Sequence, residues 1–293
     1  MRSGGAIAFR ATVVVVAVAL VCLVGITTSS SVSSASSVTS ASPKAVTIDG
    51  NDISWPQCGA AYPSGQAFGI VGINDGVPGT LNPCLGPSAS DPSDPQSELY
   101  WALSTSTGSS AQPKASLYVN TSDPGDAFDG TATTGWPTSG STPYGACTTT
   151  TVTTSSGPTT VGQNSPACAW EFGDREAAND ATLLRGAADT IDAQSPVVSV
   201  PATPGKYPWW LDVETTNSWQ KGSAGQAMNV AVLQGFVVGL DAAGATGVGV
   251  YSTSYQWGVI TGGTSSSTAS LGKLATWEPG ASDEAGAQAM CGG

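Results

Sequence analysis

The sequence contains no histidine. That absence excludes a Ser-His-Asp triad, a Cys-His dyad and any histidine-ligated zinc or non-haem iron site. Positive charge is scarce too: nine Lys and Arg stand against 21 Asp and Glu, a formal net charge of −12. Arg2 and Arg10 belong to a leader; without them seven basic residues face 21 acidic ones, or −14. Nothing is left to neutralise a phosphate backbone, so no nucleic-acid partner is expected. There is no Walker motif, and no G-x-G-x-x-G turn follows the first expected strand. A dense oxygen-ligand loop of the D-x-D-x-D-G kind is also missing, so neither a metal nor a cofactor is expected. Catalytic proton transfer, if any, falls to carboxylates, tyrosine, lysine or cysteine.

What is present begins with an export pattern. Arg2 and Arg10 precede a 16-residue apolar run, Ala11–Ile26, and a Ser/Thr/Ala stretch follows it. Residues 1–26 read as a signal peptide, with a cleavage site as late as 41. Residues 27–47 read as a disordered lead-in, and 48–293 as the folded domain. A retained N-terminal anchor is the alternative, although a span prefers about 20 apolar residues. Val21 stands where a lipobox needs a small residue, so Cys22 reads as part of the signal. The expected location is secreted or cell-wall associated.

Export permits disulfides. Sequence neighbours pair Cys58 with Cys84 and Cys147 with Cys168, each staple worth about 3 kcal/mol in the loop-entropy model. Cys291 is left over, either as a free thiol or because the chain stops before its partner. None of these thiols has a histidine to activate it, so none reads as catalytic.

The 37 glycines and 19 prolines among 293 residues promise long loops. Strands are expected at Ala45–Ser54, Phe68–Asn74, Ala115–Asn120, Trp209–Glu214, Gly247–Ser252 and Leu274–Trp277. Helices are expected within Asp91–Gly108 and over Asp174–Gln194, Gln226–Ala243 and Ser282–Met290. Residues 121–170 read as a stapled insertion, rich in Gly, Ser, Thr and Pro, with a small hairpin at Thr148–Thr160. Strands alternating with helices imply an α/β fold with a mostly parallel sheet. Without a nucleotide motif, the remaining large architecture is a TIM-type (β/α) barrel, irregular and short of its last strand.

The strand ends carry the chemistry. Asp52, Asn74 with Asp75, Asn120, Asp212 with Glu214, Tyr251 with Ser252, and Trp277 with Glu278 close the six strands. In a strand Asp212 and Glu214 point to the same face while Leu211 and Val213 point to the helix layer. Two carboxylates in a barrel mouth repel, so at least one proton affinity rises. Glycoside hydrolysis needs that pairing of a protonated acid with an anion. A lone D-x-E is commonly just a strand end meeting water. Here Asp52 ends another strand, and aromatic residues that suit sugar rings follow these strands (Trp55, Trp219, Tyr255, Trp257, Trp277), though core packing accounts for most single aromatics.

The stretch Gly50–Gly59 (GNDISWPQCG), the strand FGIVGIN, the strand WWLDVE and the later VYSTSYQW resemble a secreted actinobacterial branch of the glycoside-hydrolase TIM-barrel superfamily. The chain is similar over about residues 48 to 290 to the family 25 lysozymes (N-acetylmuramidases) and to related glycoside-hydrolase-like domains. The resemblance implies that Glu214 is the general acid. Asp212 would stabilise charge or orient a substrate acetamido group, and Asp52 would hold the sugar or tune its neighbours. Asn74, Asn120, Tyr251, Tyr255, Trp257 and Trp277 are the expected substrate-binding residues. Two features depart from the family: the third strand reads Leu117-Tyr118-Val119-Asn120, and no W-Q-Y strand with a late aspartate follows Cys291. The expected partner is a polysaccharide or peptidoglycan fragment, met by a monomer with no membrane attachment after signal removal. One alternative is a barrel that binds sugar without hydrolysing it. Another is a surface interaction protein that uses the insertion as its contact site.

Overall fold

The computed structural model describes residues 49–293 except 75–78, 88–96, 110–111, 126–135, 155, 195–196, 264–269, 281–285 and 287–293. The export signal, the lead-in, Asp75 and Cys291 therefore lie outside the described residues, as does all but Gly286 of the helix expected at Ser282–Met290.

Six strands form one parallel sheet: β1 (Gly50–Ile53), β2 (Phe68–Gly72), β3 (Ala115–Asn120), β8 (Trp209–Asp212), β9 (Val248–Tyr251) and β10 (Ala275–Trp277), hydrogen-bonded in that order. They are the six strands expected from the apolar runs. The sheet curls into a half-barrel; the closed TIM barrel expected from the strand order is not formed by the described residues. A TIM barrel closes with eight strands, and among the described residues β1 and β10 each pair with only one neighbour.

Strand alternation sorts the side chains into two layers. Ile53, Val71, Ile73, Leu117, Val119, Leu211, Val213 and Val250 face outward into the main core. There they meet the helices α1 (Glu98–Thr105), α2 (Pro166–Asp192) and α3 (Gly222–Ala242). On the concave side Phe68, Ile70, Tyr118, Trp210, Tyr251 and Trp277 form a second, aromatic cluster. Three of these rings each lie over a glycine of the neighbouring strand, its register partner: Phe68 over Gly50, Tyr118 over Gly72 and Trp210 over Gly249. A Cβ at Gly50 or Gly249 would clash with the ring carbons of Phe68 or Trp210, and one at Gly72 would stand 2.9 Å from Tyr118 Cζ. Glycine normally weakens a strand; here it makes the room that lets large rings fill a curled interior.

α2 begins well before the Asp174 expected from periodicity. Ser165 accepts from the Cys168 N–H as N-cap and Pro166 occupies the first turn. The last part of the expected insertion is thus helix. The rest holds two antiparallel hairpins, β4 (Gly140–Thr142) with β5 (Gly145–Cys147), and β6 (Thr149–Thr154) with β7 (Gly157–Gly162). The Cys147–Cys168 bridge ties the first hairpin to the start of α2, and Cys58–Cys84 joins the loops after β1 and β2. These bridges point to an oxidising compartment. α3 is long and apolar enough to cross a membrane, but Val230, Val232, Leu233, Phe236 and Leu240 are buried in the core. The segment expected only as residues after β9 is a helix, α4 (Ser254–Thr261), stopped by Gly262 at φ 81°.

The loop after β2 is held by a buried carboxyl. Asn82 Nδ2 donates to Gly72 O (2.7 Å) and to Glu98 Oε2 (2.6 Å), while Cys84 N donates to Asn82 Oδ1 (3.0 Å). Glu98 is fully buried and its Oε1 has no partner among the described residues. Burial pushes this carboxyl up from 4.5 to about 7, against the lowering pull of the Asn82 bond. The fold therefore prefers Glu98 protonated. The stability it supports is complete below pH 4.5 and is lost as pH rises to about 7. Glu98→Gln is expected to remove about 3 kcal/mol of that pH-dependent loss. Urea unfolding of both proteins from pH 4 to 8 checks this, and parallel stability curves would contradict it.

Candidate active site

The C-terminal ends of the parallel strands gather the acidic residues, which is where such sheets present reactive groups. A cavity of about 180 Å³ opens there, lined by Asp52, Tyr118, Asp212, Glu214, Tyr251 and Trp277. Three carboxyls, two phenols and an indole make up this lining, and no cationic side chain belongs to it.

The backbone under the pair is tightly tied. Thr121 Oγ1 donates to Asp212 O (2.6 Å), Val213 N to Tyr251 O (2.9 Å) and Ser252 Oγ to Val213 O (2.8 Å). The carbonyl of Glu214 accepts from Trp219 Nε1 (2.9 Å) and Asn217 N (3.1 Å). Strand pairing ends at Asp212, so Glu214 stands just past the strand, half-buried at the mouth. Asp212 is 7 % exposed.

Burial and mutual repulsion raise the proton affinities, as expected for carboxylates sharing a mouth. Asp52 is pushed from 3.8 to about 6 by burial first and by the Glu214 charge second. Asp212 is held well above the usual carboxylate range by burial, then by Glu214 and Asp52. The phenols of Tyr118 and Tyr251 are pushed up as well, chiefly by burial, so both stay protonated.

The expected site residues divide between this cavity and other places. Asp52, Asp212, Glu214, Tyr251 and Trp277 are brought together. Trp277 packs edge-on against Tyr251 with ring centroids 4.5 Å apart. Asn74 is fully buried and spends its amide on β3: its Oδ1 accepts from Asn120 N (3.1 Å) and Asn120 Nδ2 (3.0 Å), and its Nδ2 donates to Asn120 O (3.1 Å). This latch joins two strand ends, and neither asparagine lines the cavity. Tyr255 is 75 % exposed on α4 and also outside the lining. Trp257 packs on the helix layer and lines a separate groove of about 320 Å³, between α4, Leu271 and the outer face of β9 and β10. A helix where an irregular segment was expected turns it away from the acids. Cys58, Cys84, Cys147 and Cys168 are bridged in the expected pairs.

Tyr118 was missed, although its place two residues before Asn120 puts it on the concave face. Gln256 was missed too. Its signal was the T-x-x-Q spacing Thr253–Gln256, a helix start whose second amide end is free to reach the mouth.

Comparison of the chain with protein-family models, with curated proteins and with solved structures finds no match in any of the three.

Proposed function

We propose that the protein is an exported hydrolase of glycosidic bonds, acting on cell-wall glycan through the acids of this cavity. The single observation behind the reading is the lining itself: three carboxyls, two of them with raised proton affinity, against Trp277 and Tyr251. Hydrolysis of an acetal needs a proton for the leaving oxygen and an anion for the developing oxocarbenium charge. A cluster that holds some carboxyls protonated near pH 6 supplies both. Aromatic faces give a sugar ring something to stack on. The resemblance to family 25 lysozymes, and with it a muramidase-like preference on an incomplete version of their barrel, supports the same reading. Acidity means that anionic wall polymers would not be drawn in by charge, so recognition rests on stacking and hydrogen bonds.

The test is release of reducing sugar from purified peptidoglycan by wild type and by Glu214→Gln. Turnover by wild type that disappears in the variant supports the proposal; equal turnover by both removes it. A folded wild type that binds glycan without releasing reducing sugar would make the cavity a binding site.

A further inference from the structure

Asp212 and Glu214 are two residues apart but end in different surroundings. Asp212 Oδ1 is buried and has no hydrogen-bond partner among the described residues. Glu214 Oε1 instead lies 3.5 Å from Gln256 Nε2, at the outer edge of a hydrogen bond. The Gln256 amide cannot turn round. Its Oε1 accepts from Thr253 N (3.3 Å) and Thr253 Oγ1 (3.2 Å), while Thr253 Oγ1 accepts from Gln256 N (3.1 Å). This reciprocal cap of α4 consumes the carbonyl end, so the NH₂ end faces Glu214. An N–H aimed at a carboxyl favours its ionised form, and a buried oxygen with no donor favours the protonated one.

We infer that the proton of this pair resides on Asp212, and that Gln256 is a positioning residue that keeps Glu214 as the anion. The consequence for chemistry rests on the proposed glycosidase reading. The Asp212 proton goes to the leaving oxygen as the glycosidic C–O bond breaks, and the bonding pair stays on that oxygen. Glu214 faces the positive charge left on the sugar. Water then gives its hydroxyl to the anomeric carbon and a proton back to Asp212. This reverses the roles that the resemblance to family 25 implies. The other titratable groups facing the pair are Asp52 from β1, Tyr118 from β3 and Tyr251 from β9, and none of the lining residues is cationic. Both phenols keep their protons, so proton traffic stays among the three acids.

Gln256→Glu separates the cap from the positioning role. Glutamate accepts from the N-cap backbone as glutamine does, so α4 keeps its start. It also presents a carboxylate to Glu214 in place of a donor. Protein labelled with ¹³C at the aspartate side-chain carboxyl carbons reports Asp52 and Asp212 protonation directly. In wild type, Asp212 is expected to keep the protonated signal at pH 6, where Asp52 is half-titrated. In Gln256→Glu, with an unchanged unfolding temperature, the new carboxylate favours a neutral Glu214, so the Asp52 midpoint is expected to fall from about 6 part of the way towards 3.8 as the Glu214 charge that raises it is lost. Turnover at pH 6 is expected to fall at least about 10-fold. Asp212 ionised at pH 6 in wild type overturns the inference, as does an identical Asp52 titration in the two proteins. A wild type without turnover whose titrations still differ as expected defeats only the glycosidase reading.

Discussion

Gly235→Ala is expected to destabilise the protein by about 2 to 3 kcal/mol, although glycine-to-alanine inside a helix ordinarily gains about 1 kcal/mol. The sign reverses because of how α2 and α3 meet. A Cβ at Gly235 would fall on the carbonyl oxygen of Trp170, and one at Gly173 on that of Val232. Gly239 faces Asp174 O and Ala177 Cβ, at 2.6 and 2.7 Å from where its own Cβ would be. The two longest helices, of 27 and 21 residues, therefore touch backbone to backbone along a seam of small residues. A backbone carbonyl cannot swing aside as a side chain can, so alanine forces the helices apart. Buried neighbours such as Phe236, Leu240 and Ala177 lose contact with them. Gly186 is the control. It is exposed on α2 with nothing within 4 Å of a Cβ, so Gly186→Ala is expected to stabilise by up to about 1 kcal/mol. Urea unfolding of the two variants beside wild type gives both signs at once. Two stabilised variants would show that the seam is looser than described.

Glu214→Gln is expected to lower glycan turnover at least about 100-fold, the usual range for losing a charged participant in proton-transfer chemistry. It carries a second, independent signature. Glu214 is the second cause, after burial, of the raised proton affinity of Asp52. Removing its charge should move the Asp52 midpoint from about 6 part of the way back towards 3.8. Stability follows the same sign. Asp52 favours its protonated form in the fold, so wild type loses stability as pH rises from 3.8 to about 6. In the variant that loss is smaller and finishes at lower pH. A ¹³C carboxyl titration and a pH series of unfolding midpoints read the two effects. An Asp52 midpoint still at about 6 would mean that the Glu214 charge does not reach it.

Much of the fold could be read from local pattern, and the exceptions have identifiable physical reasons. FGIVGIN and WWLDVE declared themselves as strands because an uninterrupted apolar run ends in an acid or amide that needs water or a partner. Parity along WWLDVE was enough to put Asp212 and Glu214 on one face, whereas Tyr118 joins them only through the register that sets Asn120 beside Asp212. The start of α2 was hidden because Pro166-Ala-Cys-Ala sits in a stretch that otherwise reads as loop, although Ser165 before Pro166 is a start signal. The curl and the number of paired strands carry no local signal. They depend on how many strands find neighbours, which is a property of the whole sheet. Gly50, Gly72 and Gly249 look like strand weaknesses until register sets each beside an aromatic ring. Trp257 was misplaced because a helix, and not a strand end, decides its direction. Asn74 was read as a ligand-facing amide because nothing local reveals that both ends of its amide are bonded to Asn120.

The Cys58–Cys84 bridge bears on compartment. Its two ends lie in the loops that leave β1 and β2, with Cys84 hydrogen-bonded to the Asn82 that holds Glu98. In a reducing compartment those loops would lack this covalent tie. The bridge can form only where the chain meets an oxidant. The loops beyond the first two strand ends therefore gain their covalent tie only in an oxidising compartment.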